Sequence, residues 1–518
     1  MSAPIRTPPA ADAPRVLVLS PADGVAVALA DLAAGERPLA DGPALIDAIP
    51  RGHKFALRAH AAGEAVSKYG LPIGTATQPI AAGAHVHAHN LGFDPHLPRP
   101  AVAAAAAFDA ERFAPLRQRT FLGFHREDGR VGTRNFVGIL TSVNCSATAA
   151  RQIARHFGDG RPSGFPNVDG VVAFTHSSGC GMAHDGEGIT LLQRTLAGYA
   201  RHPNFGGVLL VGLGCEVNQL DRLLREQGLE AGPRVRTLGI QQAGGTREAI
   251  AAGIAEVQAL LEIANADTRR PAPLSQLALG LQCGGSDGWS GLSANPALGA
   301  AADRLVAAGA RVVLSETPEI YGAESLLLAR AETPAVADAL RDRLAWWENY
   351  AAKHGTDLNN NPSPGNIAGG LTTILEKSLG AVAKGGRAPL RAVLGYAETV
   401  REPGFQFMDT PGYDPCSATG QIAGGCTLLA FTTGRGAVFG AKPVPSLKLA
   451  SNSALAARQA DDIDLDCGGV IDGRISIDAI GERVFERLVA LASGEESASE
   501  KLGFGEAEFV PWQIGAVM

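Results

Sequence analysis

Between residues 121 and 264 the chain repeats one unit: a continuous apolar run, a glycine-rich or polar turn, then a helix-compatible stretch. The runs are FVGILTS (136–142), GVVAFT (170–175), GVLLVG (207–212) and the shorter RVRTLGI (234–240). Apolar runs without alternation predict strands buried on both faces, and helix-length spacing after the first three predicts βαβ units with right-handed crossovers. NADTRRPAPLS, with its charges and two prolines, interrupts the pattern. It resumes in LALGLQ (277–282), RVVLSE (311–316), RAVLGY (391–396) and LLAFTTG (428–434). Two α/β domains with mainly parallel sheets are therefore expected, at 119–263 and 275–512.

Upstream the texture differs. VLVLS, VAVAL, KFALRAH and HVHAHN are short β-rich runs cut by DG, AG and PRG turn signals, which predicts a small β-rich module over 15–92. Prolines crowd the start of FDPHLPRPAVAAAAAFDAERFAPLRQR, predicting a linker over 93–118. A chain of 518 residues, 46% hydrophobic and 19% charged, is long enough for three such units. Its 45 Lys and Arg against 52 Asp and Glu leave a formal charge of −7 and no basic face for a phosphate backbone. Apolar stretches fall far short of the ~20 residues a membrane helix needs, and MSAPIRTPPAADAPR lacks the apolar region of a signal peptide. The expectation is a cytoplasmic protein with neither nucleic-acid nor membrane partners.

Seven cysteines without a close pair make no disulfide framework. Four of them, Cys145, Cys180, Cys215 and Cys283, directly follow expected strands. In open α/β sheets the carboxyl ends of strands are where loops converge on ligands, so these thiols are candidates for one cleft, against the plain alternative of small buried hydrophobes. The turns there, VNCSAT, THSSGCGMAHDGEG, GLGCEVNQ, QCGGSDGWSGLSANP and NPSPGN, mix glycine with short polar side chains suited to a hydroxylated or carboxylated molecule. No G-x-x-x-x-G-K-[ST] sequence exists for a nucleoside triphosphate, and GLGCEVNQ is too little for a dinucleotide fingerprint.

Histidine is unevenly spread, six of twelve falling within the first 96 residues. If HVHAHN is a strand, His85, His87 and His89 share one face, where two can bind a divalent ion while His53 or a carboxylate such as Glu64 completes the shell. A solvated strand edge is the alternative. His176 stands apart, inside a glycine-rich turn after a buried strand, where an imidazole near its ordinary pKa could take a proton.

Taken together, these segments resemble the altronate/galactarate dehydratase family. GHKFAL, KYGLPIGTAT and HVHAHN are similar to its N-terminal SAF module, a β-clip-like domain. GFHREDGRVGTRN and VNCSAT resemble the opening of its second domain, and GCGM, GLGCE, QCGGSDGWSG, SETPEIYGAE, NPSPGN and FTTGRG its core blocks. VHAHN together with SETPEIYGAE is closer to the altronate branch. The resemblance implies a hydro-lyase of carbohydrate metabolism that converts D-altronate to 2-dehydro-3-deoxy-D-gluconate. It implies ferrous iron as cofactor, with manganese as the alternative. The small-molecule partner is a sugar acid, and assembly into a homo-oligomer stays open.

Within that reaction His176, as base or proton donor, and Arg134 are the catalytic candidates. Ser286, Asp287, Asn295 and Arg435 are candidates to hold carboxylate and hydroxyls. Two metal schemes remain: His53, His87 and His89 in the SAF module, or Cys145, Cys180, Cys215 and Cys283 at the sheet edge. Nitrogen ligands suit a labile ferrous ion better, so histidine is preferred and an iron–sulfur cluster ranks behind it. Other readings are a galactarate or other aldonate dehydratase, a sulfolactate-type sulfo-lyase and, in a different class, a non-catalytic sugar-acid sensor.

Overall fold

A computed structural model describes residues 14–97 and 108–517. The expected apolar runs form two all-parallel sheets. In the first, Phe136–Thr141 lies between Gly170–Phe174 and Phe205–Gly212, with Val235–Gly239 beyond the latter. The second has seven strands in the order Leu390–Leu394, Gly404–Met408, Arg311–Leu314, Ala278–Cys283, Leu428–Thr433, Ser446–Ala450 and Leu465–Asp466. Its central strand, Ala278–Cys283, is buried at every residue, as a strand covered on both faces is, and its one polar side chain, Gln282, donates to Ser315, Ser417 and Gln421. Three of the seven, Gly404–Met408, Ser446–Ala450 and Leu465–Asp466, lie outside the expected runs.

The N-terminal module is antiparallel throughout. One sheet joins Val16–Leu17, Val25–Ala28, Lys54–Ala56 and His85–Val86, and the other Ala65–Lys68, Leu71–Ala76 and Leu91–Gly92. The linker expected at 93–118 lies partly outside the described residues; a 3-10 helix, Glu111–Gln118, forms its end. The proline-bearing segment after the second domain is not a plain break. Arg269–Pro273 pairs as an edge strand with Thr120–His125, where Pro271 and Pro273 do not disturb an inner ladder. Among the described residues no helix is long and apolar enough to cross a membrane.

The module sits on the loops at the carboxyl edge of the seven-stranded sheet. Thr373 Oγ1 donates to Ile73 O (2.5 Å), and the Arg51 guanidinium lies 5.5 Å from the centre of the Trp289 ring. Buried Lys54 and Lys68 both donate to Glu376. A β-rich cap thus covers the edge where a parallel sheet collects its ligands.

Candidate active site

At the end of the central strand, Cys283 leads into the Gly284–Gly285 turn. A Cβ on Gly284 would lie 2.2 Å from Asp414 Oδ2, so only glycine allows that carboxylate its place. Gly285 has φ +60°, and its carbonyl accepts from the backbone N–H of Gly434 and Arg435 (3.1 and 2.9 Å). Asp414 and the exposed Arg435 therefore flank one side-chain-free turn. Ser286 follows it, its carbonyl accepting from Asn366 Nδ2 (2.8 Å).

Behind the turn lies a buried proton network. Lys384 Nζ donates to Cys283 Sγ (2.8 Å) and stands 3.5 Å from Glu316, while the thiol lies 3.4 Å from Glu319. Lys377 Nζ bonds Glu319 and Asn361 (both 2.7 Å). Three acids and a thiol thus share two ammonium groups, too few to hold every acid ionised. Burial and the neighbouring Glu319 charge push Asp414 up to about 7 and raise Glu316 well above the usual carboxylate range. Against burial, Lys377 and Lys384 keep Glu319 low; burial takes the Cys283 thiol to about 12. The arrangement stores a proton near neutral pH beside an exposed guanidinium.

The loop 366–370 links this turn to the cap. Gly288 N–H donates to Gly369 O (2.8 Å), and His87 Nε2 bonds Ile367 O (2.9 Å). His53 Nδ1 lies 3.1 Å from His85 Nε2, and the His87 ring stacks 5.0 Å from that of His53. Strand pairing stops at Val86 and residues 87–90 turn, so the one-face strand expected for His85, His87 and His89 is not what gathers them. The turn does it, with the His89 ring 5.6 Å from that of His85. Burial and the neighbouring imidazoles lower His53 and His85 to about 4, leaving neutral rings. Glu64 is engaged elsewhere, by Arg58 (2.5 Å) and Ala61 N–H (2.9 Å).

Two of the imidazoles can share a divalent ion, but among the described residues no three of His53, His85, His87 and His89 bring a nitrogen each within 4.8 Å of one another, so the expected set of His53, His87 and His89 is not assembled. Two nitrogens 3.1 Å apart can both reach one ion at ~2.1 Å, and both rings are neutral. Cys283, Glu316 and Glu319 also converge, one ligand atom from each lying within 4.8 Å of the others. There Lys384 and Lys377 already supply the positive charge.

The other residues singled out from sequence have different employments. Asp287 accepts from Trp289 N, Ser290 N and Oγ, Ser451 Oγ and Asn452 Nδ2, which organises the 284–293 loop. Asn295 joins Thr432 Oγ1 to Gly380 O. His176 Nε2 bonds Thr141 O (2.9 Å) while Nδ1 accepts from Ser178 N–H (3.2 Å), so both ring nitrogens are occupied. Burial lowers it to about 4. Arg134 is bidentate to Glu500 and bonds the carbonyls of Thr133, Leu491 and Glu495. Arg134 lies two residues before Phe136 and His176 six residues beyond Gly170, the in-register partner of Phe136, so they stand ~26 Å apart at ~3.3 Å per residue and do not meet. Cys145, Cys180 and Cys215 are exposed on the second domain, whereas Cys283 is buried in the third, so the four thiols do not share one cleft. Sequence reasoning missed Asp414, Glu316, Glu319, Lys377 and Lys384. Two of them were in view in SETPEIYGAE, where two acids three residues apart just beyond a strand end were the available signal.

Fold and site define a three-part α/β protein in which a β-rich cap covers a buried cluster of acids and lysines at a sheet edge. Family models match it in three blocks: the altronate/galactarate dehydratase SAF domain at 14–94, the D-galactarate dehydratase/altronate hydrolase second domain at 123–265, and the D-galactarate/altronate dehydratase C-terminal domain at 274–517. The chain is 38% identical over 491 residues to an altronate dehydratase of Escherichia coli (strain K12), covering 93% of this chain and 96% of that one. It is 37% identical over 500 residues to an altronate dehydratase of Bacillus subtilis (strain 168), covering 93% and 96%. It is 36% identical over 482 residues to the L-threo-forming galactarate dehydratase of Escherichia coli (strain K12), covering 92% of each. The chain belongs to the altronate/galactarate dehydratase family. It is a hydro-lyase of the sugar-acid dehydratase kind.

Proposed function

We propose that the chain dehydrates D-altronate to 2-dehydro-3-deoxy-D-gluconate at the Gly284–Gly285 turn. The observation that carries this reading is the pairing, across that turn, of a carboxyl held at about 7 with an exposed guanidinium. Two of the relatives are altronate dehydratases, which supports the choice of acid. Arg435 binds the substrate carboxylate, and Ser286 reaches its hydroxyls. Asp414, as carboxylate, takes the C2 proton. The C3–O bond breaks as the hydroxyl receives a proton from the network of Glu316, Glu319, Lys377 and Lys384, and water departs. The enol left between C2 and C3 takes a proton at C3 and becomes the 2-keto acid, so no oxidant or reductant is needed. His53 and His85, with His87 and His89 beside them, are the residues that would hold ferrous iron or manganese. Such an ion supplies Lewis-acid polarisation of the acid end.

The test is turnover by metal-loaded protein of a panel containing D-altronate, galactarate and other aldonates, read as appearance of a 2-keto-3-deoxy acid. D-altronate is expected to give the highest kcat/KM. No product from any panel member, with metal content verified, overturns the enzymatic reading in favour of a sugar-acid sensor.

A further inference from the structure

The second domain carries a feature that dehydration at the third does not use. Cys145, Cys180 and Cys215 are exposed, while Cys283, Cys416, Cys426 and Cys467 are buried. Thiols are among the most consistently buried side chains, so three exposed ones on one sheet edge call for a reason. They occupy the turns after Phe136–Thr141, Gly170–Phe174 and Phe205–Gly212, adjacent parallel strands that end in register: Leu140 is level with Phe174, and Thr141 with Val211. At ~4.8 Å between strands, this edge spreads three thiols over roughly 10 Å.

The turns are fastened to one another. Asn144 N–H donates to Ser178 O (3.0 Å) and Asn144 Nδ2 to His176 O (3.2 Å). Asn218 N–H donates to Gly179 O and its Nδ2 to Ser142 O (both 3.0 Å). Each bond ties the turn of one cysteine to that of another. His176, with both ring nitrogens on backbone, sets the turn that ends in Cys180. Gly179, Gly181 and Gly214 flank the cysteines at φ +100°, +65° and +125°, left-handed conformations of the kind that turn backbone N–H groups into anion-binding nests. Gln241 Nε2 already donates to Cys215 Sγ (3.5 Å). The one acid in the Cys215 turn, Glu216, is consumed by Ser142 Oγ and the N–H groups of Leu213 and Gly214.

We propose that Cys145, Cys180 and Cys215 hold an iron–sulfur cluster through three thiolates, leaving one iron without a protein thiolate and open to water or a carboxylate oxygen. A single ion does not suit them: thiolates on one tetrahedral centre, with bonds of ~2.3 Å, lie under ~4 Å apart, and among the described residues these three sulfurs do not all approach within 4.8 Å. A polynuclear cluster spans the wider gap because each thiolate binds its own iron. Cys283 takes no part, being buried against Lys384 and Glu319 in another domain. The inference stands on the second domain alone and does not depend on which sugar acid is dehydrated.

The full chain, purified anaerobically and reconstituted with ferrous iron and sulfide, tests it. Iron and acid-labile sulfide per chain are measured, together with the visible absorption that dithionite bleaches. The wild type is expected to retain both elements after desalting. Cys145→Ser, Cys180→Ser and Cys215→Ser should each lose most of the labile sulfide with unchanged circular dichroism, and Cys283→Ser should keep it. Absence of labile sulfide in the reconstituted wild type overturns the proposal, as does sulfide retained in all three exposed-cysteine variants.

Discussion

Replacing Glu376 with glutamine tests whether one buried carboxylate fastens the cap over the active edge. Glu376 Oε2 accepts from Lys54 Nζ (2.8 Å) and Oε1 from Lys68 Nζ (2.9 Å), and all three side chains are at most 2% exposed. Burial lowers Lys54 to about 8; against its own burial, Lys68 is held above the ordinary lysine value by Glu376. Glutamine keeps the shape and removes the charge, leaving two ammonium groups enclosed together. The variant can escape by shedding the Lys54 proton. Starting from the ordinary 10.5, this costs at pH 7 about 3.5 units at 1.36 kcal/mol each, a ceiling near 5 kcal/mol. Breaking one side of a buried ion pair costs ~3–5 kcal/mol, so the two routes agree. Because the triad spans two domains, the loss appears first as opening of the cap. Amides of Val25–Ala28 and Lys54–Ala56 should exchange at least ~100-fold faster, the equivalent of ~3 kcal/mol. The pH sign follows from Lys54. In the wild type the Lys54 pKa is depressed in the closed cap, so between about 8 and 10.5 the open state binds more protons and closure gains with rising pH; without the Glu376 charge that window extends below pH 7. Lys68→Met in the glutamine background should restore protection by removing the second charge. Exchange within threefold of wild type, or no rescue by Lys68→Met, refutes the reasoning.

Two further outcomes concern the active edge. Since burial and Glu319 keep Asp414 protonated up to about 7, log(kcat/KM) should climb with pH through that value and level off above it; Asp414→Asn should remove the limb and lower kcat by ~10²–10⁴. For the imidazole cluster, His53→Ala is expected to weaken manganese binding at least ~10-fold by electron paramagnetic resonance, with circular dichroism unchanged. Manganese retained at wild-type affinity moves the metal away from the cap.

How much of this was readable in the sequence differs by level. Apolar runs such as FVGILTS and LALGLQ pointed to the parallel sheets because a strand covered on both faces is apolar along most of its length, its few polar residues lying near the carboxyl end. Their carboxyl ends fixed the edge where chemistry collects. Roles were less legible, because they depend on which neighbour has already taken a donor or acceptor. His176 follows a strand end as expected, yet Thr141 and Ser178 occupy its ring. Asp287 sits in a polar turn as expected, yet five donors converge on its carboxylate. Asp414 shows the converse. In GYDPCS it reads as the start of a helix with proline behind it. Its chemistry comes from packing against Gly284, distant in sequence, and from sharing two lysines with Glu316 and Glu319. Lys54 and Lys68 look like ordinary surface lysines on short strands until Glu376 arrives from the third domain. A carboxyl becomes a base at neutral pH when its surroundings contain one cation too few. That deficit belongs to the assembled domains, and no single segment of the sequence carries it.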